Sequence, residues 1–159
     1  MIEQEVSFEH FADMAPFKGD EAASVLLSLH QERAWEEDLA RLIPRDLARE
    51  LSNQWAKTNT IEVFQETVVK PFLEGLMSQT TAGVTWNFHP SALKKGMLFL
   101  SNHRDIVLDP ALINVAMLQH GRGSTEIGIG SNLLGSPWVN DLVRLNRCFI
   151  VERSGTARE

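Results

Sequence analysis

With 159 residues, 43% of them hydrophobic and 23% charged, the chain has the composition of a soluble domain and is too short for two comfortable ones. A single cysteine, Cys148, excludes an internal disulfide framework and indicates a reducing compartment. No apolar run approaches the roughly 18 residues of a spanning helix, and the acidic start from Met1 to Glu5 lacks the features of a signal peptide. We therefore expect a cytoplasmic protein whose contact with the inner membrane is at most peripheral.

The net charge of −6 is unevenly distributed along the chain. Residues 1–93 carry 7 basic and 15 acidic side chains, whereas residues 94–159 carry 8 basic and 6 acidic ones. The acidic half is a poor surface for nucleic acid. The basic half contains several arginines that suit an anionic substrate, although arginines are also common on surfaces that bind nothing.

The first 80 residues are predicted to be helical. A helix is expected over Glu21–Gln31, and Pro44 is expected at the first position of the next helix, with Leu47 and Leu51 on one face. In both helices the apolar residues are spaced as they are on a face that packs into a hydrophobic core, rather than as they are in a ligand site.

A third predicted helix begins near residue 60. Asn59 and Glu62 have the spacing of a capping box. Pro71 should kink this helix or end it. Apolar residues recur at three- or four-residue steps as a core-facing stripe, namely Ile61, Phe64, Val68, Phe72 and Leu76.

From Gly83 onward, strand and helix patterns alternate. The predicted elements are a strand over 84–88, a buried parallel strand over 97–101, a helix from Asp109 to about Gln119, a strand over 126–130, a helix after Ser136-Pro137 and a strand over 148–151. Asp109 is expected to be the N-cap of its helix, followed by Pro110. This order predicts an α/β fold with a mainly parallel sheet, in which residues 1–82 form a helical N-terminal region and residues 83–159 the first part of the α/β domain.

His103 is the candidate catalytic base. It follows the predicted strand over 97–101, at the carboxyl edge where parallel sheets gather ligands, and Arg153 follows the last predicted strand at the same edge. A histidine oriented by a carboxylate can accept the proton of a hydroxyl group, although an ordinary surface histidine fits the same residues. Asp109 is the preferred orienting acid. Its carboxylate has two oxygens, so it can cap a helix and accept a hydrogen bond from an imidazole at the same time. Asp105 is the reserve candidate.

Other motifs carry less weight. Gly128 and Gly130 lack a Walker lysine and the spacing of a nucleotide-binding loop. His103-Arg104-Asp105 matches the kinase catalytic loop, but the chain has none of the other kinase motifs. The remaining histidines lack metal-ligand spacing with one another or with Cys148, so no metal site is predicted.

Asn102-His103, with a downstream aspartate and a helix, resembles the first signature block, Asn-His-x4-Asp, of the glycerolipid acyltransferases. This family includes lysophosphatidic acid (1-acylglycerol-3-phosphate) acyltransferases and tafazzin. Here Leu108 occupies the usual aspartate position, and one further residue separates Asp109 from His103.

The resemblance continues into the second half of the chain. The segment from Arg147 to Arg153 occupies the place of the family's second block, Gly-x-Ile-Phe-Ile-Asp-Arg, with Arg147 where the block has glycine. The similarity to a bacterial branch of these acyltransferases extends over residues 129–134 and 137–154, and it also covers the helical N-terminal region.

The resemblance implies a fold like that of the glycerol-3-phosphate acyltransferase domain. The implied reaction is transfer of a fatty acyl group from acyl-CoA or acyl-carrier protein to a hydroxyl of a glycerophosphate or lysophospholipid acceptor in phospholipid synthesis, without a metal or bound cofactor. The implied catalytic residues are His103, Asp109 and, in reserve, Asp105, and the implied substrate-binding residues are Asn102, Arg104 and Arg153, the last for the acceptor phosphate.

The family's third block, of the Phe-Pro-Glu-Gly-Thr-Arg type, and its apolar fourth block should follow Arg153, and the chain ends at Glu159. We therefore expect the N-terminal part of a longer acyltransferase that is weakly active or inactive by itself. Two other functions stay open: a non-catalytic protein that binds lipid or acyl thioesters, and an acyl-thioester hydrolase that uses the same histidine and aspartate on water.

Overall fold

The structure, a computed structural model, describes residues 8–32, 34–87, 89, 96–101, 105 and 107–153. Its helices are α1 (Gly19–Gln31), α2 (Trp35–Leu39), α3 (Arg45–Trp55), α4 (Ile61–Phe64), α5 (Lys70–Thr80), α6 (Leu108–Gln119) and α7 (Pro137–Leu145). Its strands are β1 (Ile127–Gly130) and β2 (Cys148–Val151). Short 3-10 segments span Phe8–Met14 and Ser131–Leu133, and a π segment spans Gln65–Val69.

The core of the helical region is built around three aromatic side chains. The ring centroids of Trp35 and Trp55 lie 4.4 Å apart, and those of Trp55 and Phe64 lie 4.7 Å apart. The indole N–H groups of Trp35 and Trp55 donate to the carbonyl oxygens of Leu29 and Leu26 at 2.8 and 3.1 Å. Both tryptophans are therefore buried with their polar atoms paired, so their burial leaves no donor unsatisfied.

The stripe predicted beyond residue 60 is confirmed, whereas its predicted cap is wrong. Ile61, Phe64 and Val68 are buried, and Phe72 and Leu76 pack against the same core. The N-cap of α4 is Thr60, whose hydroxyl accepts a hydrogen bond from the Val63 N–H at 3.2 Å. This register places Glu62 at the second helical position, so it cannot form the reciprocal bond of a capping box with Asn59. The helix after Pro44 begins at Arg45, with Pro44 as its N-cap.

The helix does not end at Pro71. A π segment precedes it, in which the Lys70 N–H donates to the carbonyl oxygen of Gln65 five residues earlier, and α5 then continues to Thr80. A proline lacks an N–H and its ring crowds the carbonyl four residues back. The wider hydrogen-bond spacing directly before Pro71 accommodates both effects in the first turn of α5.

Helix α7 joins the second half of the chain to the helical core. Leu145 is fully buried within that core, and Trp138 and Leu142 pack against it. The rings of Trp138 and Trp35 meet edge to face with their centroids 6.0 Å apart. The two halves of the described chain therefore share one hydrophobic core, while the predicted boundary between residues 82 and 83 stays a prediction.

Arg144, also on α7, holds the N-terminal segment. Its Nε and Nη2 atoms donate to the carbonyl oxygens of Ala15 and Ala12 at 2.7 and 3.0 Å. Its guanidinium carbon lies 3.8 Å from the centroid of the Phe17 ring. A buried cation is thus paired with backbone dipoles and an aromatic face.

The two strands predicted last in the chain are confirmed. β1 and β2 pair in parallel, with Ile127 opposite Cys148 and Gly130 opposite Val151, and α7 forms the crossover between them. Helices α6 and α7 confirm the two helices predicted in this region. Strand, helix and parallel strand form the βαβ unit that the alternation predicted.

The two earlier predicted strands are wrong over their described residues. Residues 84–87 and 97–101 are not in a strand, and Phe88 lies outside the described part of the chain. Leu98 and Leu100 are 79% and 88% exposed instead of buried. Apolar runs become strands only where a neighbouring strand supplies hydrogen-bond partners, and the described sheet consists of β1 and β2. The Trp86 indole instead donates to the side chain of Gln119, at the end of α6, at 2.8 Å.

The described chain is thus mostly helical with a two-stranded parallel sheet, which is compatible with the predicted α/β class. Within the described ranges, none of the helices combines the length and the apolar character needed to cross a membrane.

Candidate active site

Asp105 and Asp109 both stabilise the start of α6. Oδ1 of Asp105 accepts the N–H groups of Val107 and Leu108 at 2.8 and 2.7 Å, and Oδ2 of Asp109 accepts the N–H of Asp105 at 3.0 Å. The prediction that Asp109 is the N-cap is wrong, because α6 begins at Leu108 and Asp109 is its second residue. The Asp105 carboxylate binds the free N–H groups at the helix start instead.

The predicted base and its neighbours, His103, Asn102 and Arg104, lie outside the residues that the structure describes, so their roles stay predictions. Of the predicted catalytic group, the structure describes the two aspartates. The hydrogen bond from the Asp105 N–H holds the Asp109 carboxylate against the backbone of Asp105, two residues after His103 in sequence. A carboxylate in the first turn of α6 is also favoured by the positive end of the helix dipole.

A polar cluster anchors α6 to the amino end of β1. Oδ1 of Asn114 accepts both the N–H and the hydroxyl of Thr125 at 2.7 Å each. The Ser124 hydroxyl donates to Oε1 of Gln65, in the π segment, at 2.5 Å. These bonds place the middle of α6 beside the segment that leads into β1 and tie both to the helical region.

Arg153 lies beyond the carboxyl end of β2, as predicted from the last strand. Its backbone N–H lies within hydrogen-bond distance of Oε1 of Glu152 (2.8 Å) and Oγ of Ser131 (3.3 Å). Its side chain reaches across to the end of the neighbouring strand, where Nε lies 2.8 Å from the position that a Cβ atom of Gly130 would occupy. Within the described part of the chain, the exposed guanidinium has no carboxylate partner.

Arg147, directly before β2, has a left-handed backbone conformation with φ of 61°. Glycine adopts this conformation without steric cost, whereas other residues pay for the contact of their Cβ atom with the backbone. The arginine side chain lies 3.6 Å from Oε1 of Glu126, next to the start of β1. The turn into β2 therefore has a geometry that suits glycine although the chain has arginine there.

Cys148, His30 and His120 have surroundings that indicate structural roles. Burial raises the pKa of the Cys148 thiol to about 12, which keeps it protonated and unreactive near neutral pH. Ring nitrogens of His30 and His120 lie 3.1 and 2.8 Å from the carbonyl oxygens of Ser52 and Ala116. Within the described residues, no three histidine, cysteine or acidic side chains are grouped closely enough to hold a metal ion.

Sequence reasoning missed three residues at the carboxyl edge of the sheet: Gly130, Ser131 and Glu152. The Ser131 hydroxyl donates to Oε1 of Glu152 at 2.9 Å, which connects the segments that follow β1 and β2. Gly130 was predicted to be the end of a strand, with no role at the site. Two features of the sequence could have indicated its contact with Arg153. Gly130 ends one predicted strand, and Arg153 follows the next predicted strand.

A family model described as Acyltransferase matches residues 66–159, which is more than half of the chain and contains α5 to α7 with both strands. Searches of curated proteins and of solved structures give no match.

Proposed function

The chain belongs to the acyltransferase family, and we propose that it transfers a fatty acyl group from acyl-CoA or acyl-carrier protein to a hydroxyl of a glycerophosphate-like acceptor. Family membership indicates the coarser activity, an acyl donor and a hydroxyl-bearing acceptor. The proposal adds the thioester, the phosphate on the acceptor and the residues that act on them.

His103 acts as the general base in this proposal. Its imidazole removes the proton of the acceptor hydroxyl while the oxygen attacks the thioester carbonyl, and it returns the proton to the departing thiolate. Base catalysis of this kind contributes about 10²- to 10⁴-fold to the rate. The position of His103 in a block of the Asn-His type, inside the matched range 66–159, supports this role.

Asp109 orients His103 and balances the charge of the imidazolium. Oδ2 of Asp109 accepts a hydrogen bond from the backbone N–H of Asp105, close in sequence to the histidine. An ionised carboxylate has about four acceptor positions, so this bond is compatible with a second one to an imidazole N–H. Oδ1 of Asp105 already accepts two backbone N–H groups at the start of α6, which favours a structural role for Asp105.

Arg153 binds the acceptor phosphate. Its guanidinium is exposed at the carboxyl edge of a parallel strand pair, where α/β sheets bind ligands, and a planar guanidinium can bind phosphate with two parallel hydrogen bonds. The left-handed backbone at Arg147 supports its alignment with the glycine of the family's second block, in which Arg153 matches the arginine.

The observation that carries the proposal is the hydrogen bonding that holds α6 beside the start of β1, together with the location of Arg153 beyond the carboxyl end of β2. Asn114 binds Thr125, just before β1, and Asp109 lies five residues earlier on α6, about 7.5 Å along the helix axis. Because Asn114, in the middle of α6, lies beside the amino end of β1, we expect the start of α6 to lie toward the carboxyl ends of β1 and β2. Asp109 and Arg153 are thereby expected on the same side.

The test measures thiol release and acylated product with palmitoyl-CoA or palmitoyl-acyl-carrier protein, and with glycerol-3-phosphate or lysophosphatidic acid as acceptor. The protein is expressed from its complete gene. We expect His103→Ala to lower kcat by at least about 10²-fold with an unchanged melting temperature, while the control His120→Ala keeps full activity. Full turnover in His103→Ala would refute the proposed base.

A second pair of variants tests the choice of acid. Asp109→Asn should lose activity, whereas Asp105→Asn should keep it, because an asparagine oxygen still accepts the two N–H groups at the helix start. Loss only in Asp105→Asn would reverse the assignment. Acyl release without any acceptor would indicate a hydrolase, and thioester binding without release would indicate a non-catalytic binding protein.

A further inference from the structure

Gly130, the last residue of β1, lies directly beneath two side chains. A Cβ atom on Gly130 would lie 2.6 Å from Oδ1 of Asn132, 2.8 Å from Nε of Arg153 and 3.4 Å from its Cζ. The first two distances are shorter than a carbon atom allows. The guanidinium group therefore rests against the α-carbon of Gly130, in the space that any other residue's side chain would fill.

The backbone at Gly130 does not itself require glycine. Its φ and ψ are −71° and 136°, an extended conformation that every residue adopts. The requirement for glycine comes only from the side chains of Asn132 and Arg153, which lie over it. Because both are ends of flexible side chains, a methyl group would displace them at little cost in stability, and the displacement would alter where the guanidinium lies.

The backbone of Arg153 is held from the same strand end. Its N–H lies near Oγ of Ser131 and Oε1 of Glu152, and the Ser131 hydroxyl donates to that Glu152 oxygen. The root of the side chain is thus held by the segment after β1, and its far end lies in the space over Gly130. The location of the cation depends on both.

We propose that Gly130 is a positioning residue for acceptor recognition: its missing side chain lets the Arg153 guanidinium lie over the carboxyl end of β1, where it meets the acceptor phosphate. This inference rests on the proposed phosphate-binding role of Arg153. It predicts that residue 130 sets the affinity for the phosphate-bearing acceptor without affecting the fold or the affinity for the acyl donor.

The test compares Gly130→Ala with Gly135→Ala, a matched control in which the added methyl group meets open space. We expect Gly130→Ala to raise the KM for glycerol-3-phosphate, and the Kd for inorganic phosphate, about tenfold, the effect of weakening one charge-assisted hydrogen bond. The KM for the acyl thioester, kcat and the melting temperature should be unchanged. The Nε–Hε resonance of Arg153 should shift in Gly130→Ala without any ligand, and it should not shift in Gly135→Ala.

Coupling through Arg153 is tested in a double-mutant cycle. In an Arg153→Ala background, Gly130→Ala should raise the KM and Kd no further, because the group that it displaces is absent. An equal additional loss in that background would overturn the inference, as would an unchanged KM in Gly130→Ala beside a large loss in Arg153→Ala. If Arg153→Ala leaves phosphate binding unchanged, the proposed role of Arg153 is wrong and this inference falls with it.

Discussion

The helical region and the region around the sheet bury their apolar residues to very different extents. Between Gly19 and Thr80 the apolar stripes meet in one core, and Trp55 is 3% exposed. In the later region, Leu98 and Leu100 are 79% and 88% exposed. A helix pairs its backbone groups internally and needs only an apolar face opposite, whereas a strand also needs a partner with the right register. Apolar residues are therefore buried where helices pack together and exposed where, within the described part of the chain, a predicted strand has no partner.

The candidate chemistry lies in the less buried region. Asp105, Asp109 and Arg153 are at a helix start and a strand end, while the helical region contributes the core on which α7 packs. Residues that act on a substrate must reach solvent, and rigid packing behind them keeps their positions constant. The difference in burial is thus consistent with a helical region that acts as a scaffold and a later region that carries the candidate site.

The largest predicted effect concerns the helical core. Trp55→Ala should reduce the free energy of unfolding by about 3–5 kcal/mol, because it removes a buried aromatic side chain and leaves a cavity. Urea unfolding followed by circular dichroism measures this change. The matched variant Trp86→Ala removes a half-buried indole from the other region and should cost less than half as much. Equal losses would contradict the contrast between the regions.

An intermediate effect is expected where the regions are joined. Arg144→Met should cost about 2–3 kcal/mol, because it removes the two charge-assisted hydrogen bonds from the buried guanidinium to the carbonyl oxygens of Ala12 and Ala15. Arg147→Met is the control, since its half-exposed ion pair with Glu126 is worth less than about 1 kcal/mol. Chemical denaturation of both variants gives the comparison. A loss in Arg144→Met no larger than that of the control would show that the clamp on the N-terminal segment contributes little.

The smallest effect is expected in the exposed apolar run. Leu100→Ala should change the free energy of unfolding by less than about 0.5 kcal/mol, because the side chain is 88% exposed. Leu51→Ala, at 2% exposure in the helical core, should cost about 2–5 kcal/mol. Denaturant titrations of the two variants, run in parallel, compare their losses in the free energy of unfolding. A loss in Leu100→Ala as large as that in Leu51→Ala would mean that residues 97–101 form the buried strand indicated by their sequence.

Local signals predicted much of the fold correctly. The stripe from Ile61 to Leu76, the helices after Asp109 and Ser136, and both strands of the sheet follow from periodicity and turn residues. The two errors in helix capping arose where residues close in sequence could play the same role. Thr60 rather than Asn59 caps α4, and Asp105 rather than Asp109 binds the free N–H groups of α6, since a shift of one or a few residues changes which side chain reaches the helix start.

The candidate site was predictable to a similar degree. The location of Arg153 at a strand end followed from the sequence, because a strand followed by a charged residue places that residue at the sheet edge. The contact of its guanidinium with Gly130 did not follow, since the two residues are 23 positions apart and their proximity depends on the register of β1 and β2. Glycine has no side chain, so its position in the sequence does not by itself indicate which side chain lies over it.

The sequence by itself determined the family, the helical stripes, the two paired strands and the residue types available for chemistry, because these depend on local spacing and on motifs. Tertiary structure alone decided that Arg144 clamps the N-terminal segment and that Gly130 lies under Arg153. Each of these is a contact whose partner is chosen by packing and by strand register. Such contacts are set by the positions of whole elements, which no local stretch of residues specifies.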